Sequence, residues 1–273
     1  MEDLKIAAVC MRSEPGKVDQ NLERMAFYIE DASKEKADII CFPELAIPGY
    51  LLNDPQDIYD DTRSQDIIRH VTQMARAREL VVISGTVEMP ERGKPYIAQI
   101  VAGPDGLIGL YRKTHLSPPE KAKYQAGDII DVFAYRNTSF GIQLCYEAHF
   151  PEISTIQAVK GADIIFMPHA SPRGTPEGKL QSWSRHLPSR AFDNALFVVA
   201  CNQVGHSCEG FFFPGVIMVF NPSGKLIRNY RGKRENMILF DAKKEDLEQF
   251  RAHKMRYFIP NRRPDLYREI TDK

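Results

Sequence analysis

Residues 37–43 read Ala37-Asp38-Ile39-Ile40-Cys41-Phe42-Pro43, and residues 162–168 read Ala162-Asp163-Ile164-Ile165-Phe166-Met167-Pro168. Both are short apolar runs closed by proline, the pattern of a strand covered on both faces. Three further correspondences follow in the same order. The run ending at Cys10, with its following helix, resembles residues 139–145 with the helix at 151–160. Val81-Val82-Ile83 resembles Val198-Val199-Ala200. The turn Gly103-Pro104-Asp105-Gly106, followed by Tyr111-Arg112, resembles Asn221-Pro222-Ser223-Gly224, followed by Tyr230-Arg231. Ordered matches of this kind indicate an internal duplication.

Each half then reads β-α-β-α-β-β. Residues 17–34 place Leu22, Met25, Ala26 and Ile29 on one helical face, and residues 66–80 do the same with Ile67, Ile68, Val71, Met74 and Ala75. Residues 4–10, 37–42, 81–87, 96–101 and 107–112 read as strands. A sheet covered by helices on one face leaves its other face apolar, and two such halves can bury those faces against each other. The expected fold is an α/β four-layer α-β-β-α sandwich with an internal pseudo-two-fold, one domain over residues 1–273. Residues 251–273 form a C-terminal extension carrying Tyr257, Phe258, Ile259, Leu266 and Tyr267. It is too apolar for a solvated tail and is expected to pack at an oligomer interface.

Composition narrows the function classes. The 273 residues are 43% hydrophobic and 26% charged, as in ordinary soluble domains. Lys plus Arg and Asp plus Glu both number 36. That balance argues against nucleic acid as the main partner, because phosphate binding needs an excess of basic residues. No apolar run approaches the roughly 20 residues of a membrane helix, and no membrane partner is expected. The start, MEDLKIAAVC, lacks the features of a signal peptide. The five cysteines are odd in number and show no C-x-x-C spacing, so a reducing cytoplasm is expected and no metal site.

Three reactive side chains follow apolar strands, where sheet enzymes collect their sites. Glu44 lies in Phe42-Pro43-Glu44-Leu45, Lys113 in Tyr111-Arg112-Lys113-Thr114, and Cys145 in Leu144-Cys145-Tyr146-Glu147. A glutamate half-buried there suits general base work. A fixed lysine suits an oxyanion. A cysteine at a strand-to-helix turn is expected to favour thiolate, beside the backbone N–H of Tyr146. Singly, each residue also fits a structural or surface role.

Together the segments FPELAIPGY, YRKTHL and CYEAHFPE resemble the nitrilase, or carbon–nitrogen hydrolase, superfamily. The likeness continues through RAFDNALFVVACNQVG and the NPSG turn, over nearly the whole chain. It implies a Glu44–Lys113–Cys145 triad, with Glu120 as a second glutamate that orients Lys113 or the substrate. It also implies the same sandwich fold, homodimers or larger assemblies, a cysteine thioester intermediate and no cofactor. Relatives that hydrolyse N-carbamoyl D-amino acids tend to carry arginine soon after the nucleophile. This chain has Glu147, Ala148 and His149 there. The expected substrate is a small amide or N-carbamoyl amine; the alternatives are a nitrile, or a non-catalytic binding protein that would have lost a key residue.

The remaining candidates lie in variable loops. Arg173 could pair with a substrate carboxylate. His149, and His169 at the place matching Glu44, are candidates for substrate or oxyanion binding, with Tyr146. Cys208 could line the pocket mouth. Cys10, Cys41 and Cys201 are expected to pack as small hydrophobes, and His115 and His186 to serve as structural hydrogen-bonding residues.

Overall fold

The computed structural model describes residues 1–50, 55, 60–207 and 210–271. The first half runs β1 (Leu4–Cys10), α1 (Val18–Lys34), β2 (Ile39–Cys41), α2 (Asp61–Arg78), β3 (Val81–Glu88), β4 (Tyr96–Gly103) and β5 (Gly106–Arg112). The second begins with β6 (Val132–Tyr135), β7 (Thr138–Ile142), α3 (Pro151–Val159), β8 (Ile164–His169), α4 (Pro176–Trp183), α5 (Leu187–Asn194) and β9 (Phe197–Asn202). It ends with β10 (Gly205–His206), β11 (Phe212–Phe213), β12 (Gly215–Phe220), β13 (Leu226–Gly232), β14 (Asn236–Ala242) and α6 (Lys244–Arg251).

The two main sheets have orders β14-β1-β2-β3-β4-β5 and β6-β7-β8-β9-β12-β13. Each has an antiparallel first pair, two parallel pairs and two antiparallel pairs. The duplication is therefore a duplication of topology, and the α-β-β-α sandwich is the observed architecture. The register refines one correspondence. Ile6 pairs with Ile39 and Phe140 with Ile164. Counting on from these pairs, Met11 rather than Cys10 stands where Cys145 does.

Alternation along the second sheet builds two apolar layers. Phe166, Phe197, Val199, Ile217 and Val219 pack with Ile6, Ala8 and Ile40 of the first sheet. Their neighbours Ile165, Met167, Val198, Met218 and Phe220 pack with Trp183, Leu187 and Ala191 of α4 and α5. Cys10, Cys41 and Cys201 are buried. The helix of the first half starts at Asp61, ahead of the expected residue 66, because the Asp60 carboxylate accepts from the Arg63 N–H at 2.7 Å. The matching helix of the second half divides in two, and Pro188 opens the second piece, where it needs no N–H donor. No helix among the described residues is long and apolar enough to cross a membrane.

In the C-terminal segment Met255, Phe258, Leu266 and Ile270 stay exposed. The Phe258 ring meets that of Phe192 at 5.7 Å.

Candidate active site

Glu44 leaves β2 in a tight turn whose next residue, Leu45, has φ +53°. The turn is pressed against β3. A Cβ on Gly85 would lie 2.2 Å from the Leu45 nitrogen, so only glycine fits there. The Gln203 side chain, just past β9, donates to the Glu44 carbonyl at 2.8 Å. The carboxylate itself accepts from the Ala170 N–H at 2.9 Å, just past β8. The second half of the chain thus holds the glutamate of the first.

Lys113 follows β5, its backbone N–H bonded to the Ile97 carbonyl at 2.9 Å. Its ammonium donates to Glu44 Oε1 at 2.7 Å and to Glu120 Oε1 at 2.8 Å. Glu120 is fixed by the Ser117 N–H, which donates to Oε2 at 2.7 Å. All three side chains are buried, Lys113 at 1% exposure. Burial alone would pull the lysine down, but the two carboxylates outweigh it and hold it above its ordinary value. Two carboxylates share one ammonium, so the cluster carries a surplus negative charge. Burial first, and then Glu120, push Glu44 above the usual carboxylate range, with Lys113 opposing. Glu44 is thereby suited to take and return a proton.

Cys145 follows β7 with φ +45°, a left-handed conformation that costs a non-glycine residue about 1 kcal/mol or more. It opens a 3-10 turn, Cys145–His149, and α3 starts only at Pro151. Its side chain is partly open to solvent. Burial and the Glu44 charge raise the thiol, while Lys113 and Lys179 act the other way. The expectation that the turn favours thiolate is therefore corrected. The intervening 3-10 turn separates the sulfur from the helix terminus, and the neighbouring carboxylates disfavour a second negative charge. Glu44 is within electrostatic reach of the sulfur.

Glu147, weighed in the sequence only as a residue standing where arginine is absent, ties these parts together. It is fully buried. One carboxylate oxygen accepts from Tyr111 Oη at 2.8 Å, Thr114 N at 2.8 Å and Thr114 Oγ1 at 2.6 Å. The other accepts from Leu144 N at 2.6 Å. A single side chain thus fixes the segments flanking Lys113 and Cys145. Neither sequence segment alone signals this, because the partners lie 33 and 36 residues away.

The other candidates are distributed unevenly. Tyr146 is partly exposed and meets the His149 and Phe150 rings at 6.2 and 5.4 Å. His149 is exposed and stacks on His186 at 4.6 Å. Burial, then His149 and Arg190, hold His186 down at about 4. His169 is buried, its Nδ1 2.6 Å from the Met167 carbonyl and its ring 4.0 Å from Trp183. Burial holds its imidazole well below the ordinary value, so it is neutral. His115 bonds Thr114 and stacks on Phe150 at 4.3 Å. Arg173 is exposed with φ +71°, and its backbone N–H donates to Phe212. Cys208 lies outside the described residues. Sequence reading passed over Lys179, whose charge is felt at Cys145, and Tyr124, which walls the hollow beside Glu120 with Tyr50, Leu45 and Pro119. Among the described residues no group of three His, Cys, Asp or Glu side chains is placed to hold a metal.

Comparison with known proteins accords with this arrangement. The carbon-nitrogen hydrolase family model matches residues 5–252. The chain belongs to the carbon-nitrogen hydrolase family, within the nitrilase superfamily. An (R)-stereoselective amidase from Pseudomonas sp. is 27% identical over 270 residues, covering 98% of this chain and 95% of its own. A nitrilase from Pyrococcus abyssi is 28% identical over 234 residues, covering 82% and 84%. Among solved structures, a variant of the amidase from Nesterenkonia sp. AN1, with acrylamide added at its active site cysteine, superposes with a TM-score of 0.84. It is 21% identical, with 98% of this chain and 99% of that chain covered. That likeness is one of fold.

Proposed function

We propose that this chain hydrolyses a small amide or N-carbamoyl amine through a thioester on Cys145. The observation that carries the reading is the Lys113 ammonium held between two buried carboxylates, Glu44 and Glu120, beside a cysteine in strained backbone. Glu44 accepts the Sγ proton as sulfur attacks the carbonyl carbon. The oxyanion is met by Lys113 and by the Tyr146 N–H, which lies in the first turn of a 3-10 helix and so has no acceptor within it. Collapse breaks the C–N bond, and Glu44 delivers its proton to the departing nitrogen. Water then gives a proton to Glu44 and its hydroxyl to the thioester carbon. The acid leaves, and the proton returns to sulfur. Glu120 and Glu147 hold Lys113 and the cysteine turn in place. No cofactor takes part.

A nitrile substrate is the second reading, favoured by the Pyrococcus abyssi nitrilase among the relatives. An ammonia-release screen over amides, N-carbamoyl compounds and nitriles decides between them, with Cys145→Ala as the blank. Release from nitriles alone overturns the amide reading, and no release from any class overturns both. We also propose that the chain works as a homodimer, with residues 251–273 against the partner. The exposed Met255, Leu266 and Ile270 support this.

A further inference from the structure

Several cations in this molecule are matched by an acid. Arg24 pairs with Glu235, Arg112 with Glu88 and Arg251 with Asp163. Lys179 of α4, half-buried next to the site, is not so matched. Its ammonium donates to the Ser171 hydroxyl at 2.7 Å and to the Pro172 carbonyl at 3.4 Å, both neutral, and among the described residues it makes no ion pair. The acid two residues before it, Glu177, is turned to Arg231 at 3.9 Å. Ser171 directly follows Ala170, whose N–H holds Glu44. The uncompensated charge is thus linked by one short hydrogen bond to the residue next to the general base's own support.

We propose that Lys179 is the anchor for an anionic group, a carboxylate, on the substrate. A partly desolvated ammonium with only neutral acceptors is an incomplete site, and two hydrogen bonds leave one of its three donors for a ligand. Lys113 is already balanced by Glu44 and Glu120, and its remaining donor serves the oxyanion. Arg173 lies farther out, exposed on the loop. The bond to Ser171 sets the ammonium beside the Ala170 support of Glu44, so a bound carboxylate would sit near the reacting centre. The inference deepens the amidohydrolase reading, and rests on it only for the bond that is cleaved.

Two measurements separate the two ideas. The first needs no turnover: Cys145 is alkylated with iodoacetate and with iodoacetamide, and the ratio of rates is taken. Lys179→Met is expected to lower that ratio about tenfold, the scale of one charge pair acting over several ångströms near a protein surface. Lys179→Arg restores most of it. A loss of both rates in equal proportion would mean that the lysine only stabilises thiolate, and would overturn the proposal. So would a fall in Arg173→Ala with none in Lys179→Met. The second measurement is the kcat/KM ratio of succinamate to butyramide, expected to fall by a similar factor in Lys179→Met. If alkylation follows the expectation but the wild type hydrolyses neither amide, the anion site stands and the amide reading fails. If both amides are hydrolysed and neither ratio moves, the amide reading stands and the anion site fails.

Discussion

The strand exit after β2 carries Glu44, and the matching exit after β8 carries His169. Both side chains are 2% exposed. Burial raises the carboxyl and lowers the imidazole, opposing charge on both. Of the two, only Glu44 has a counter-charge in contact. His169 is bonded to its own strand and stacked on Trp183. The contrast extends to the other exits. Lys113 follows Tyr111-Arg112, whereas Gly232 follows Tyr230-Arg231. Cys145 stands where the first half has Met11, a fully buried hydrophobe. The duplication supplied two equivalent sets of strand ends, facing each other across the sandwich. The two sets are unlike: one half carries Glu44 and Lys113, the other Cys145 and the Ala170 N–H that holds Glu44.

The comparison is broken most severely at the nucleophile. Cys145→Ala is expected to lose at least about 10⁴-fold in kcat/KM, while Met11→Cys in that background recovers nothing, because the charged residues serve one exit only. Recovered ammonia release would refute the asymmetry. Glu44→Gln is expected to cost about 10²–10⁴-fold, with His169→Glu unable to rescue it and circular dichroism unchanged.

Lys113→Met comes next. It removes an oxyanion donor, worth about 10²–10³ in rate. It also leaves two carboxylates buried without their cation, a loss of about 3–5 kcal/mol of stability. Thermal melts and kinetics on the same sample should show both effects; a normal melt would mean that the ion cluster is not formed.

A pH profile sharpens the reading of Glu44. Its carboxyl is held above the ordinary 4.5, so the proton-accepting form is lost as pH falls through that raised value. The acid limb of kcat/KM should therefore lie above 4.5 and disappear in Glu44→Gln if any residual rate is measurable. A limb at or below 4.5 contradicts the assignment. His169→Gln is the mildest change: about 1 kcal/mol of stability from the lost ring stacking, and less than about tenfold in kcat/KM. Light scattering on a chain lacking residues 255–273 tests the last proposal, with dissociation or aggregation expected; an unchanged assembly would free the tail of that role.

Much of the fold was legible because apolar runs and their proline stops recur in order, and strand burial leaves its mark in every residue of a run. Ala37–Pro43 and Ala162–Pro168, with three further matches in the same order, suggested the duplication. The helix limits were less legible, since Asp60 and Pro188 act through single hydrogen bonds that periodicity does not register. At the site, Glu44, Lys113 and Cys145 stood out because each follows a strand within a distinctive segment. Glu147 and Lys179 did not, because a charged residue in sequence carries no sign of whether it is paired. The sequence by itself determined which side chains leave the strand ends and that two similar halves must cover each other's apolar faces. Only the tertiary structure decided that Glu44 is held by Ala170, that Lys113 is shared by two carboxylates, and that the Cys145 thiol is raised. Those properties depend on distance and desolvation between residues far apart in the chain, and packing alone fixes both.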